Sequence, residues 1–185
     1  THSGHTAIRG NVELDPEGQF PLPADAQTIF HDYQNAGYKT GAFGKWGLGF
    51  IGSTGDPKKQ GIDEFYGYNC QLLAHSYYPD HLCDNDNRVE LEDNNLNVQY
   101  GKGTYSQDLI HGKALEYLDN MNPGEPFFMW YPTIIPHAEL IVPEDSIIQK
   151  FRGMYPEKPY KGAEPGSPAF RKAVSYTHLT LPTIA

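Results

Sequence analysis

The residues best placed to do chemistry lie in Gly37-Tyr-Lys-Thr-Gly-Ala-Phe-Gly-Lys-Trp-Gly-Leu-Gly49. Tyr38 to Phe43 reads as a short strand running into a glycine-rich loop. Gly44, Gly47 and Gly49 strip side-chain bulk from both sides of one cation, Lys45. A lone ammonium at the end of a strand suits an anionic group such as sulfate, phosphate or carboxylate, because open α/β sheets bind ligands at that end. The plain alternative is a glycine-rich turn with a solvated lysine. A second strand-like run, Pro126 to Tyr131, leads into Pro132-Thr-Ile-Ile-Pro-His-Ala-Glu139 and so delivers His137 to a strand end. Histidine titrates near neutrality and can pass a proton to a leaving group; a lone Pro-His-Ala histidine is more often structural.

Elements that could position these residues follow from the hydrophobic pattern. Ala24 to Ala36 is expected to be a helix, with Ala26, Ile29, Phe30, Tyr33 and Ala36 recurring at three and four and Gly37 capping its end. A helix over 105–120 is expected to bury Leu109, Ile110, Ala114, Leu115 and Leu118, with Ser106 as N-cap. The apolar run 126–131 reads as a central strand buried on both faces. Asp145 and Glu144 read as first-turn carboxylates of a short helix ending at Phe151. Between 50 and 105 regular signals are sparse. Val89-Glu-Leu-Glu and Leu96-Asn-Val-Gln-Tyr suggest a hairpin around residues 93 to 95. Phe65, Tyr66, Tyr68, Tyr77 and Tyr78 form an aromatic patch that could wall a polar ligand. Helix followed at once by strand favours a parallel sheet, so the expected fold class is α/β.

Fourteen Lys and Arg against 23 Asp and Glu give a net charge of −9. That balance argues against nucleic acid or an anionic membrane as partner, since both need a basic footprint. Anion binding must then come from a few local groups. No apolar run approaches the ~20 residues of a membrane span. Two cysteines, Cys70 and Cys83, match no zinc or redox spacing and leave their pairing open.

The stretch 37–49 resembles the second signature of the type I, formylglycine-dependent sulfatases, which are arylsulfatase-like and have an alkaline-phosphatase-like fold. Gly4-His-Thr-Ala-Ile-Arg-Gly-Asn11, Gly61-Ile-Asp-Glu-Phe-Tyr-Gly-Tyr68, Ala74-His-Ser-Tyr-Tyr-Pro79 and the block from Pro126 to Ala138 resemble further family segments in the same order. The resemblance covers residues 1–172. It implies a mostly parallel sheet flanked by helices, incomplete in this chain. It also implies cleavage of aryl or carbohydrate sulfate esters by a formylglycine made from Cys or Ser, with calcium holding the sulfate oxygens. Lys45 then matches the lysine that contacts sulfate, and His137 the histidine that contacts sulfate or assists the leaving oxygen. Many relatives carry a histidine at the position of Gly47, and His75 or His81 could supply the missing imidazole to the substrate. The Asp84-Asn85 pair is not taken as the catalytic metal site.

The formylglycine motif, Cys or Ser followed by Pro or Ala and then Arg at alternate positions, is matched in the sequence only by Ser167-Pro-Ala-Phe-Arg171, which is out of family order because it follows the 37–49 block instead of preceding it. The resemblance places it just before Thr1, and places the calcium ligands outside 1–172, so no metal ligand is assigned within this chain. The 185-residue chain is therefore expected to be inactive alone, and the intact protein to need a formylglycine-generating maturation enzyme. Residues 173–185 fit no family block and read as a non-native tail. Export to a periplasm or the outside is implied by the resemblance alone. Two other readings remain: a phosphoric or phosphonate ester hydrolase of the same superfold, and a non-catalytic relative whose Tyr-rich segment stacks on sugar rings.

Overall fold

A computed structural model describes residues 21–71, 73–94, 103–136 and 142–154. In chain order they form α1 (Ile29–Asn35), β1 (Lys39–Lys45), β2 (Glu64–Tyr68), β3 (His81–Asp84), β4 (Asn87–Glu90), α2 (Ser106–Asp119), β5 (Phe127–Trp130) and α3 (Ser146–Phe151), with short 3-10 turns at Pro57–Gln60 and Leu73–His75. The chain divides into two compact units. One comprises 1–74, 81–90 and 106–133; the other comprises 75–80, 91–105 and 134–185. No helix among the described residues is long and apolar enough to cross a membrane.

The first unit holds a five-stranded sheet in the order β4-β3-β2-β1-β5. β1 is parallel to β2 and to β5, whereas β2–β3 and β3–β4 are antiparallel. Helices pack on both faces, as expected for an α/β layer. On one face, Phe30 of α1 joins Ala42, Trp46, Ile62, Phe65 and Cys83 in a buried cluster. Burial of each large side chain there contributes about 1.5–3 kcal/mol. On the other face, the Tyr117 ring of α2 sits 5.3 Å from that of Phe43.

Local details explain where the elements stop. α1 is shorter than the expected 24–36 helix. Thr28 precedes it in an extended conformation, and its hydroxyl donates to the Gln60 carbonyl at 2.7 Å. Gly37 follows in the left-handed region at φ 84°, as its place after the apolar stripe predicts. Asp63 then anchors the entry of β1, accepting from the Thr40 amide at 2.9 Å and from the Gln34 side chain at 2.8 Å. β1 itself runs two residues past Phe43, so Lys45 is its last residue and not part of the loop.

Three expectations are corrected, and a fourth, the hairpin around residues 93 to 95, falls partly outside the described residues. β5 is the edge strand of the described sheet, not a central one, and Phe127 and Trp130 are exposed at 42% and 37%. Its apolar run follows from contacts on both faces: Phe128 stacks on Tyr33 at 4.0 Å and Phe127 meets Tyr117 at 6.2 Å. α2 is rotated from the expected face. Ser106, Gln107, Ile110, Ala114 and Tyr117 are buried, while Leu115 is 47% exposed, because a tyrosine and two polar residues occupy positions an apolar stripe ignores. The hairpin is β3–β4, turning at Asn85-Asp86 with Asn85 at φ 53°, a conformation asparagine tolerates. Val89 therefore pairs back to Leu82, and residues 96–100 lie outside the described set. Finally Phe65, Tyr66, Tyr68, Tyr77 and Tyr78 are all buried, so the aromatic patch is core and not ligand wall.

In the second unit, Asp145 caps α3 by accepting from the Ile147 and Ile148 amides at 2.8 and 2.9 Å. Glu144 pairs with Arg152. Asn94 ties the segments of this unit together, donating to the Pro79 and Thr104 carbonyls at 2.9 and 2.7 Å.

Candidate active site

The parallel strands β2, β1 and β5 end on one edge of the sheet, where such sheets place ligands. Lys45 stands there in register with Tyr68, the last residue of β2. Backbone bonds fasten this edge. The Lys45 amide donates to the Pro132 carbonyl at 3.0 Å, that of Trp46 to Tyr68 at 2.9 Å, and that of Gly47 to Asn69 at 3.0 Å.

The glycines are what let these segments close. A Cβ on Gly44 (φ 134°) would lie 2.3 Å from the Pro132 oxygen, and one on Gly67 would lie 2.0 Å from the Gly44 oxygen. The loop after Lys45 is equally tight. Trp46 donates its indole N–H to the Gly55 carbonyl at 2.8 Å, and Gly49 packs directly on Gly55.

Lys45 is half-buried, and among the described residues no carboxylate lies within ion-pair distance. Burial pushes its pKa below the ordinary lysine value, opposed in part by the nearby Cys70 thiol. A cation taken partly from water without a protein counter-ion favours an incoming anion. The 14-residue helix α2 adds to the same field. It leads into β5, which runs parallel to β1, so the N-terminal end of α2 meets the strand-end edge that holds Lys45. That end carries partial positive charge.

The four site candidates fare differently. Lys45 and His81 belong to the same unit and the same edge. β3 runs antiparallel to β2, and continuing the register Gly67↔Cys83 sets His81 level with Asn69, two strands from Lys45. That separation is roughly 10 Å at ordinary strand spacing. His81 is only 5% exposed. His75, half-buried, belongs to the other unit. His137 lies outside the described residues. The space beside Gly47 is taken by Gln71, whose side-chain atoms would lie 2.6 Å from a Cβ there.

No group of three or more His, Cys, Asp or Glu among the described residues could hold a metal. Asp84 and Asn85 are spent on the hairpin. Asn85 accepts from the Phe65 amide at 2.9 Å and donates to Asp84 at 3.0 Å. The described residues thus do not fit calcium. Cys70 and Cys83 are both buried thiols.

The pattern reading missed a polar chain at this same edge, buried at Tyr68, Ser106 and Gln107 and ending on the exposed Thr133. Ser106 is the first residue of α2, and its hydroxyl lies 2.5 Å from that of Tyr68. Nothing in a single sequence links four residues so far apart.

The Sulfatase family profile matches residues 3–173, and the chain belongs to that family. It is 28% identical over 142 residues to Arylsulfatase J of Mus musculus, covering 75% of this chain and 23% of the relative. It is 34% identical over 114 residues to an N-acetylglucosamine-6-O-sulfatase of Bacteroides thetaiotaomicron, covering 61% and 17%. The chain thus spans less than a quarter of these relatives. Among solved structures, BT4656 in complex with its substrate D-glucosamine-2-N,6-O-disulfate superposes with TM-score 0.54 at 24% identity, covering 78% of this chain and 27% of that one. Ps i-CgsB in complex with k-i-k-neocarrahexaose superposes with TM-score 0.55 at 23% identity, covering 75% and 33%. At these identities the two structures speak for the fold.

Proposed function

We propose that this chain is the sulfate-holding part of a sulfuric ester hydrolase whose substrate is a sulfated carbohydrate. The observation that carries the reading is Lys45: half-buried, at the end of the middle parallel strand, with no carboxylate partner among the described residues. In this reading the Lys45 ammonium binds a sulfate oxygen and offsets charge that grows there as the ester bond breaks. His137 contacts the sulfate or protonates the leaving oxygen. His81, at the same edge, supplies a further contact, and His75 is the other candidate for that role. Formylglycine, supplied by a maturation enzyme acting on a Cys or Ser outside residues 1–172, furnishes the nucleophile in the intact protein. Calcium would be held in the intact protein by residues outside 1–172 and would there supply positive charge for the sulfate oxygens. The sugar-sulfate preference is supported by the N-acetylglucosamine-6-O-sulfatase among the relatives. Residues 1–172 form the partial catalytic domain, and 173–185 a non-native tail.

Reading the source DNA across both ends of the frame tests this. The expected result is Cys-x-Pro-x-Arg, or its Ser equivalent, just before Thr1, and a continuing frame in place of residues 173–185. A different nucleophile, such as Thr with zinc-ligand aspartates, would convert the reading to phosphoric ester hydrolysis, which Lys45 could also serve.

A further inference from the structure

Three segments meet at the edge that holds Lys45: the ends of β1 and β2, the start of α2, and the turn after β5. Backbone bonds join β1 to β2 and to Pro132, but the turn after β5 also has to be held at its far side. The side chains do this. Thr133 donates its hydroxyl to Gln107 Oε1 at 3.1 Å, which orients the Gln107 amide. The Gln107 Nε2 then faces the Ser106 hydroxyl at a long 3.5 Å, and Ser106 meets Tyr68 at 2.5 Å. Tyr68 is the register partner of Lys45, and the Lys45 amide returns to Pro132, next to Thr133. The links close a ring around the site. Tyr68 and Ser106 are fully buried and Gln107 nearly so, whereas Thr133 is exposed.

We infer that Gln107 and Thr133 are positioning residues for the anion site: they clamp the turn after β5 so that the Pro132 carbonyl fixes the backbone of Lys45. Neither needs to touch the anion. The direction of donation matters, because Gln107 has one acceptor oxygen and Thr133 supplies its hydrogen. A valine at 133 keeps the shape and removes the donor, while a serine keeps the donor. Since Thr133 is exposed, both variants fold. The inference rests on the reading of Lys45 as the sulfate contact only for its effect on binding.

The test uses the 185-residue chain, ¹⁵N-labelled, with Thr133→Val, Thr133→Ser and Lys45→Met variants. Amide exchange at Lys45 is measured against the Ala36 amide at the end of α1, and sulfate is titrated into each protein. Thr133→Val is expected to speed exchange at Lys45 about fivefold, the worth of one ordinary hydrogen bond, and to weaken sulfate binding by a similar factor. Ala36 and the thermal midpoint stay unchanged, and Thr133→Ser restores both readouts. Unchanged Lys45 exchange in Thr133→Val overturns the inference whether or not sulfate binds. Equal sulfate binding by wild type and Lys45→Met overturns instead the reading of Lys45, leaving the exchange result to decide the clamp.

Discussion

Alanine substitution at three glycines separates the forces that close the Lys45 edge. At Gly112, inside α2, a Cβ meets no heavy atom within 4 Å and φ is not positive. Gly112→Ala should therefore stabilise by about 1 kcal/mol, the ordinary helical difference. At Gly37 a Cβ is also unobstructed, but φ is 84°. Gly37→Ala should cost about 1 kcal/mol from backbone conformation alone. At Gly44 φ is 134° and the Cβ lies 2.3 Å from the Pro132 oxygen and 2.9 Å from its carbon. That carbonyl cannot swing away as a side chain would, because it also receives the Lys45 amide. Overpacking of about 1–3 kcal/mol adds to backbone strain of about 1 kcal/mol or more. The expected loss for Gly44→Ala is thus about 3 kcal/mol, and sulfate binding should weaken with it. Urea midpoints at equal m-value give all three numbers. If Gly44→Ala falls within about 1 kcal/mol of Gly37→Ala, the close approach of β1 to the turn after β5 is not what the glycine serves.

Other expectations follow from single sites. The Tyr117 hydroxyl is buried and has no hydrogen-bond partner among the described residues, so Tyr117→Phe should be neutral or stabilise by up to about 1 kcal/mol by urea denaturation. Burial, with Asp63, Glu64 and Glu125 nearby, pushes the Tyr117 pKa up to about 12. The folded state then keeps a proton that the unfolded state releases, so stability falls as pH rises from 10 towards 12, and Tyr117→Phe should flatten that loss. Lys45 has the opposite sign. Its lowered folded pKa means the unfolded chain holds more protons just below pH 10.5, so its contribution to stability rises with pH there. Sulfate affinity should fall across the same window as the amine becomes neutral, as isothermal titration at stepped pH would show. On α2, Ile110→Glu should unfold the chain, whereas Leu115→Glu should change its thermal midpoint little, since Ile110 is fully buried and Leu115 half exposed.

The legible parts of the sequence were those written in local grammar. Helix, capping Gly37 and a strand bearing Lys45 follow from short-range pattern, and the blocks around 37–49, 61–68 and 126–138 point to the sulfatases. What pattern could not give was pairing. Phe127 to Trp130 is apolar because it touches aromatic rings from α1 and α2 on its two faces, so its composition mimics a central strand. Val89 alternates as any hairpin strand does, and only the left-handed Asn85 decides that it pairs backwards. The Tyr-rich stretch looked like a sugar platform because tyrosine serves both core and surface; burial settles Tyr77 and Tyr78 as core. At the site, Lys45 and His81 share an edge through an antiparallel strand that the pattern did not reveal. The Tyr68–Ser106–Gln107–Thr133 chain was invisible because each hydroxyl or amide has an unremarkable local role, as the N-cap reading of Ser106 illustrates.

The central claim is that Lys45 holds the sulfate oxyanion, and sulfate titration of wild type against Lys45→Met at neutral pH tests it most directly. With the side-chain resonances of Lys45 followed by NMR, the account predicts a saturating shift at Lys45 and loss of binding in Lys45→Met. Saturable sulfate binding of equal affinity in the two proteins would contradict it.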